Sequence, residues 1–285
     1  MMPKRTTVSL VPFRSGAIVS LLLVAFQAAS QTQPPNVPAT ELVRQTVARE
    51  LAAANASGHY MYRIDKQTPH GSETRDMVET RKWLIGRLVL KNGQPLPPAQ
   101  RQREDERLRD LLTNPAHLER FQIEAHKDEA RVRRMIKSLP EAFHFQYDGT
   151  EKNGSGRELI RLKFGPNANL TTRSLELRVL QGMEGTMLID PVDERLVRVE
   201  AELFRDVDFG WGIFGRIRRG GSFLLEQQGV GSDRWAITTL AMHYSSRIVL
   251  FVNTRTDSVS KASNFHRMSN DLTLQQGLEL LLNPG

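Results

Sequence analysis

The seven histidines of this 285-residue chain are the first residues to examine for metal binding or acid–base chemistry. His117 and His126 are nine positions apart, and on one helix at about 100° per residue they point to opposite faces, so they cannot bind one ion together. The other five histidines stand alone, without the spacing of a zinc or metalloprotease motif: His59, His70, His144, His243 and His266. The histidines therefore predict neither a metal site nor an acid–base centre.

Carboxylate pairs and glycine-rich loops give no stronger indication of catalysis. Asp190 with Asp193, and Asp206 with Asp208, lie at the ends of predicted strands, where turn formation accounts for aspartate. The sequence has no nucleophile elbow, no phosphate-binding loop and no dinucleotide-binding fingerprint. It also has no cysteine, which excludes disulfides, thiolate zinc sites and cysteine nucleophiles. We therefore predict a protein that is not an enzyme and that uses neither a cofactor nor a metal.

The segment from Phe209 to Gly215 is the most unusual stretch of the chain, because large apolar residues alternate with glycine. One interpretation is a flexible apolar flap that contacts lipid or closes a cavity. The other is a strand at a bulge or tight bend, whose aromatic side chains enter the core. The sequence leaves both open, and it makes four residues candidates for ligand binding: Phe209, Trp211, Ile213 and Phe214.

The positive charge of the chain raises the question of an anionic partner. The formal net charge is +7, but the first 30 residues contribute three of these charges. The basic clusters at 101–103 and 131–134 are interleaved with acids, and an exported chain does not meet nucleic acid, so we predict no nucleic-acid binding. Arg216, Arg218 and Arg219 predict contact with a membrane surface or anionic lipid. The alternative is that these three arginines form a solvated hairpin tip.

The first 30 residues have the three parts of a secretory signal peptide. A basic start precedes an apolar run from Ala17 to Phe26, and small residues follow it before Gln31. A run of about ten residues is too short to cross roughly 30 Å of hydrocarbon. We predict cleavage after Ser30 and export to the periplasm or the extracellular space, with a retained, tilted anchor as the alternative. No later segment is apolar for 18 consecutive residues, so no transmembrane segment is expected after cleavage.

The pattern after the signal peptide predicts a proline-rich linker at 31–39 and a single domain at 40–285. Helical spacing predicts a helix over 41–54, and a long insert at 94–140 predicts two more. Elsewhere apolar and polar residues mostly alternate with a period of two, which is typical of strands. About eight or nine strands with short connections predict an antiparallel sheet and an α+β fold. Trp83 and Trp235 are expected in the core.

One hairpin carries a resemblance to a known family. Gly185-Thr-Met-Leu-Ile-Asp-Pro191, followed by Arg195-Leu-Val-Arg-Val-Glu200, resembles the central strands of the periplasmic outer-membrane lipoprotein carrier and sorting superfamily. The resemblance covers about 41–255. It implies a curved sheet, a half-open β-barrel, whose concave apolar face is covered by helices and holds acyl chains. It also implies a related sensor type, which binds lipid or lipoprotein and restrains a signalling partner. No functional residue of the superfamily has a match here, and the charged insert at 94–140 departs from its pattern.

These observations leave two hypotheses for function. The first is an exported protein that binds an apolar ligand, lipid or the acyl chains of a lipoprotein, with the helices at 41–54 and 94–140 as a lid. The second is a non-enzymatic structural or interaction protein of the cell envelope, with a filled core and a protein partner. An apolar void of roughly several hundred Å³ would favour the first, and a packed interior the second.

Overall fold

The computed structural model describes residues 37–56, 58–172, 174–209, 215–231, 234–248 and 252–283. The predicted signal peptide and residues 31–36 of the predicted linker lie outside these ranges. Pro34–Gly285 form one compact unit. Within the described ranges the helices are α1 (Ala39–Ala56), α2 (Pro98–Thr113), α3 (Pro115–Ala142), α4 (Leu175–Leu180) and α5 (Leu274–Leu282).

Within the described residues, thirteen strands form one antiparallel sheet, which is curved and unclosed. The strands are β1 (Tyr60–Thr68), β2 (Gly71–Glu79), β3 (Leu84–Lys91), β4 (Gln94–Pro95), β5 (Phe143–Lys152), β6 (Glu158–Pro166), β7 (Met183–Asp190), β8 (Arg195–Leu203), β9 (Val207–Phe209), β10 (Gly215–Ile217), β11 (Gly221–Gly229), β12 (Trp235–Ile248) and β13 (Val252–Arg267). Their order is β4-β3-β2-β1-β13-β12-β11-β8-β7-β6-β5, and the β9–β10 hairpin pairs with β12.

The α+β class and the curved antiparallel sheet are confirmed, whereas the expected eight or nine strands are too few. The sequence pattern predicts one extended run over 77–90, but these residues contain the end of β2, a turn and most of β3. Strands β4, β9 and β10 have only two or three residues, too few for an alternating pattern to show. The β3–β4 hairpin turns at Asn92 and Gly93, with φ of 53° and 73°, which suits an Asn-Gly turn.

One face of the sheet, which we call the α1 face, carries the larger hydrophobic core. Alternate residues of β5 to β8 point to this face, among them Phe145, Leu162 and Met187. Val43 of α1 and Leu139 of α3 pack onto them. The core is filled above these strands because α1 and the last turns of α3 lie side by side over them.

The opposite face, which we call the α5 face, has a second core over β2 and β3. Val78 and Ile85 are fully buried there, and the residues packed on them come from α2 and α5: Leu108, Leu111, Leu278 and Leu281. A capping box formed by Thr273 and Gln276 starts α5. The helix α2 therefore lies on the face opposite to α1. The expected lid made of α1 and both insert helices is wrong for α2, because the apolar residues of α2 pack on Val78 and Ile85.

The helix α3 joins the two cores. It has 28 residues, which span roughly 42 Å at 1.5 Å per residue. Phe121 near its start packs on Trp83 in the core of the α5 face, with 6.2 Å between the ring centroids, and Leu139 near its end lies in the core of the α1 face. Its middle is exposed and carries ion pairs one turn apart, such as Lys127 with Glu124.

The end of α3 differs from the sequence-based expectation. The sequence predicts that this helix stops near Ser138, before Pro140, but α3 runs on to Ala142. Pro140 removes its own N–H bond and crowds the carbonyl of residue 136, but the last carbonyls of the helix find other donors. Asn167 supplies both, because its backbone N–H donates to Ala142 O (2.9 Å) and its side-chain amide donates to Glu141 O (2.9 Å).

Asp190 has a structural role at the turn between β7 and β8. Its side chain is 1% exposed, and its Oδ1 accepts backbone N–H groups from Val192 (2.9 Å) and Asp193 (3.1 Å). Arg157 Nη1 donates to its Oδ2 at 2.6 Å. Burial alone would raise the pKa of Asp190, but the Arg157 guanidinium and the two N–H groups outweigh burial and hold this pKa below its usual value.

We predict that Asp190→Asn lowers the free energy of unfolding by about 2 kcal/mol at neutral pH, because hydrogen bonds to a charged acceptor are lost. The folded pKa lies below the unfolded one, so the carboxylate stabilises fully above the unfolded pKa of about 3.9, and this stabilisation is lost as the pH falls through the folded pKa. The difference between wild type and variant should therefore shrink in acid. Urea unfolding at neutral pH and at about pH 3 measures it.

Asp193→Asn is the matched control, because Asp193 also pairs with Arg157 but its side chain is 40% exposed. We expect it to cost less than about 1 kcal/mol. Equal losses in both variants would contradict the role assigned to Asp190.

Candidate functional site

A groove of about 480 Å³ lies on the α1 face, beside the part that α1 covers. We call it the groove. Strands β1, β12 and β13 form most of its lining, and α1, β8 and β11 contribute at one end. The lining residues are Glu50, Ala53, Tyr62, Ile64, Arg195, Gln227, Arg234, Trp235, Ala236, Ile237, Leu240, Ser260, Ala262 and Phe265.

Strand register explains why residues so distant in sequence share the groove. Ile64 of β1 is paired with Ala262 of β13, and Ser260, two residues earlier on β13, is paired with Leu240 of β12. Because side chains alternate along a strand and match across it, these four residues point to the same face. That face also carries the core over β5 to β8, so the groove continues the surface on which α1 packs.

A β-bulge in β12 brings two further large residues into the groove. Gln227 of β11 pairs with Ile237 and Glu226 pairs with Thr239, so Thr238 is an extra residue. Such a residue reverses the alternation, and Trp235 and Ile237 therefore line the groove together with Leu240. Trp235 was expected in the core, and this is wrong, because its half-buried side chain lines the groove and belongs to neither core. The groove residues at 235, 237 and 240 are spaced by two and then by three positions, and this change in spacing is the sequence signal of the bulge.

Away from Glu50, Arg195 and Arg234, the wall of the groove is mostly apolar and open to solvent. The ring of Tyr62 stacks on Phe265, with 5.1 Å between centroids and 17° between planes. Burial raises the pKa of Tyr62 to about 12, and the negative charge of Glu79 adds to this, while Arg234 opposes it. The phenol is therefore neutral at any physiological pH. Ile237 is 46% exposed, so its apolar surface is available.

The end of the groove beside α1 is closed by an ion pair. Arg195 Nε and Nη2 donate to the two carboxylate oxygens of Glu50, at 3.0 and 2.9 Å. The backbone N–H of Leu196 also donates to Glu50 (3.0 Å), and the Arg195 guanidinium lies 5.7 Å from the ring centroid of Trp235. The side chains of Arg195 and Glu50 are only 9% and 15% exposed. This pair links α1 to β8.

A second ion pair lies beside it. Arg234 donates to both carboxylate oxygens of Glu79, at 2.8 and 2.6 Å, and also to Gly58 O at 3.1 Å. The Arg234 guanidinium lies 5.6 Å from the ring centroid of Tyr60. Each arginine that lines the groove is thus matched by one carboxylate. The groove presents a large apolar wall with a charge-balanced end, which suits an apolar chain better than an ion.

The structure describes only part of the predicted ligand-binding segment. Trp211, Ile213 and Phe214 lie outside the described residues, and of Phe209 only the backbone is described, at the end of β9. The β9–β10 hairpin pairs with the far end of β12, where Gly215 is paired with Ile248. That point is eight residues beyond Leu240, or roughly 26 Å at 3.3 Å per residue, so Phe209 does not belong to the groove. Lipid contact by this segment stays a prediction.

The predicted basic surface is partly neutralised within the protein. Arg216 makes a two-pronged ion pair with Asp208 and a 3.4 Å contact with Asp206. Asp206 also accepts the backbone N–H of Arg219 (2.8 Å). Arg218 and Arg219 are exposed. The two acids identified in the sequence therefore fix the hairpin, and membrane contact by the three arginines stays a prediction.

The described residues contain no cluster of three or more His, Asp or Glu side chains that could hold a metal ion. None of the helices in the described ranges is both long enough and apolar enough to cross a membrane.

Comparison with known proteins adds little to this geometry. No family model matches the sequence, and no curated protein matches it. A DUF1329 family protein from Desulfovibrio piger is similar with 8% identity and a TM-score of 0.30, over 81% of this chain and 94% of that one. MucB, solved in complex with MucA(peri), is similar with 9% identity and a TM-score of 0.23, over 84% and 97%. At such overlaps neither structure assigns a family or a function to the chain.

We predict that Glu50→Gln lowers the free energy of unfolding by about 3 kcal/mol, because it leaves the buried Arg195 guanidinium without a counter-charge. Glu41→Gln is a matched control on the same helix, since Glu41 pairs with Arg44 on the surface, with side chains 39% and 58% exposed. That change should cost less than about 1 kcal/mol. Urea unfolding of both variants checks this, and similar losses would show that the Glu50 pair does not hold α1.

Proposed function

We propose that this protein is an exported, non-enzymatic binding protein that holds an apolar chain, such as the acyl chain of a lipid or lipoprotein, in the groove. The observation that carries the proposal is the groove itself, an unfilled apolar hollow of about 480 Å³. Ligand pockets have volumes of about 300–1,000 Å³ and mostly apolar walls with a few polar groups. The second hypothesis, with a completely filled core, predicts no such hollow.

The walls of the groove favour a chain over a compact polar ligand. Each methylene group that leaves water for an apolar wall contributes about 0.8 kcal/mol. The stacked rings of Tyr62 and Phe265, and Trp235 held against Arg195, are already fixed, so binding orders few side chains. Export rests on the predicted signal peptide.

A protein partner is the alternative, and one observation favours it. Strand β5 ends the strand order, so its outer edge is not paired with any of the described strands. An extended segment of a partner in the cell envelope can pair with such an edge. A bulge between Tyr147 and Thr150 interrupts β5 and shortens the usable edge. The groove is therefore the better-supported site.

Native mass spectrometry of the mature protein, purified from its own envelope fraction, is the first experiment. We expect a co-purifying lipid or acylated peptide near one per chain, which lipid extraction then identifies. An apo mass, together with no binding of an added fatty-acyl probe, would overturn the proposal and turn the search to a protein partner.

We predict that Ile237→Asp weakens binding of a fluorescent acyl probe at least about tenfold, because the ligand would then bury a carboxylate without a partner. Stability should fall by about 1 kcal/mol or less, since Ile237 is 46% exposed. Val192→Asp is the control, because Val192 is 73% exposed in the β7–β8 turn, away from the groove. Equal effects of the two variants on probe binding would exclude the groove as the site.

A further inference from the structure

The two ends of the groove differ in charge. At the end beside α1, Arg195 and Arg234 are each bound by one carboxylate through two hydrogen bonds. At the other end the groove runs out between β1 and β13, at Ser260. The residue paired with Ser260 on β1 is Lys66.

Lys66 is on the same face as the groove. Tyr62 and Ile64 both line the groove, and Lys66 follows Ile64 by two positions on the same strand. Residues directly paired across antiparallel strands have Cβ atoms about 5 Å apart, which places the start of the Lys66 side chain next to Ser260. Lys66 is exposed, so its ammonium group is accessible to solvent, and its partner Ser260 marks this end of the groove, which we call the mouth.

The surroundings of Lys66 leave a net positive charge. Glu73 is paired with Lys66 in register on β2, but it binds Arg75 at 3.1 Å. Among the residues that the structure describes, no carboxylate lies within ion-pair distance of the Lys66 ammonium. Lys66, Arg75 and Glu73 together carry one positive charge. The end of the groove beside α1, by comparison, is neutral.

We propose that Lys66 binds the anionic head of the acyl ligand, so that the chain lies with its tail towards Trp235 and its head at the mouth. This rests on the proposed function and names the ligand class, a single-chain anionic amphiphile. At the end beside α1, a head group would meet Glu50 and Glu79, whose arginines are already engaged. It would lose its hydration there without gaining a hydrogen-bond partner. At Lys66 it gains a charge-assisted hydrogen bond and stays hydrated.

Competition against a fluorescent acyl probe tests this with three ligands of equal chain length: dodecanoate, dodecyl phosphate and dodecanol. The proteins are the full chain, Lys66→Gln, Lys66→Glu and the control Lys261→Gln. Lys261 is exposed on the neighbouring strand and is paired with Asp65, whose side chain points to the face opposite to that of Lys66. The Lys261→Gln substitution therefore removes the same charge from the opposite face.

We expect Lys66→Gln to weaken dodecanoate binding about threefold to tenfold and Lys66→Glu to weaken it further, with dodecanol unchanged. Lys261→Gln should leave all three ligands unchanged. A larger loss for dodecyl phosphate than for dodecanoate would indicate a lipid phosphate as the natural head group, and the reverse a fatty-acid carboxylate.

Two results would count against the proposals in different ways. If dodecanol fails to compete in the full chain, the groove does not hold an apolar chain and the proposed function is overturned. If dodecanol and dodecanoate compete equally and Lys66→Gln changes neither, or if Lys261→Gln has the same effect as Lys66→Gln, only the role of Lys66 is overturned.

Discussion

The width of the sheet compared with the helices that cover it determines the architecture of this protein. The eleven strands in the main order span roughly 48 Å at about 4.8 Å per strand, and a helix with its side chains covers only about 10–12 Å. On the α1 face, α1 and the last turns of α3 cover β5 to β8 and fill that part with a core. On the remaining strands of this face, none of the helices in the described ranges covers the residues that line the groove. The groove exists because the cover ends there.

The ion pair between Glu50 and Arg195 decides where that cover ends. Glu50 lies near the C-terminal end of α1 and is held by Arg195 and by the backbone of Leu196. A buried ion pair adds little net stability over a well-packed apolar contact, but it permits few alternative positions, because a displaced partner is left with an uncompensated charge. This pair therefore fixes the position of α1 on the sheet more than it strengthens the fold. Together with the Arg234–Glu79 pair, it makes the adjoining end of the groove neutral.

The sequence predicted those parts of the fold that depend on local pattern. The alternation in β5 and β8 marked both strands, and the helical spacing of 41–54 marked α1 to within two residues at each end. The groove was missed because its residues come from strands about 200 positions apart, and strand register is not visible in a single sequence. The bulge at Thr238 locally reverses the side-chain direction. Because this bulge was not recognised from the sequence, Trp235 was expected in the core. Trp83, whose neighbours are Phe121 and His126, is half-buried and packs against the core of the α5 face.

The pairing of β1 with β13 also sets the order in which the chain can acquire its structure. Of the described strands, β1 is the first in chain order and its partner β13 is the last. Until residues 252–267 emerge, one edge of β1 has no partner, and the hydrophobic residues of β2 and β3 lack the α5 helix that buries them. Contacts so distant in sequence form slowly, and until they form the unpaired strand edge can pair with strands of other chains. A nascent chain of this protein is therefore prone to aggregation until residues 252–282 are available, and its groove cannot form before β13 pairs with β1 and β12.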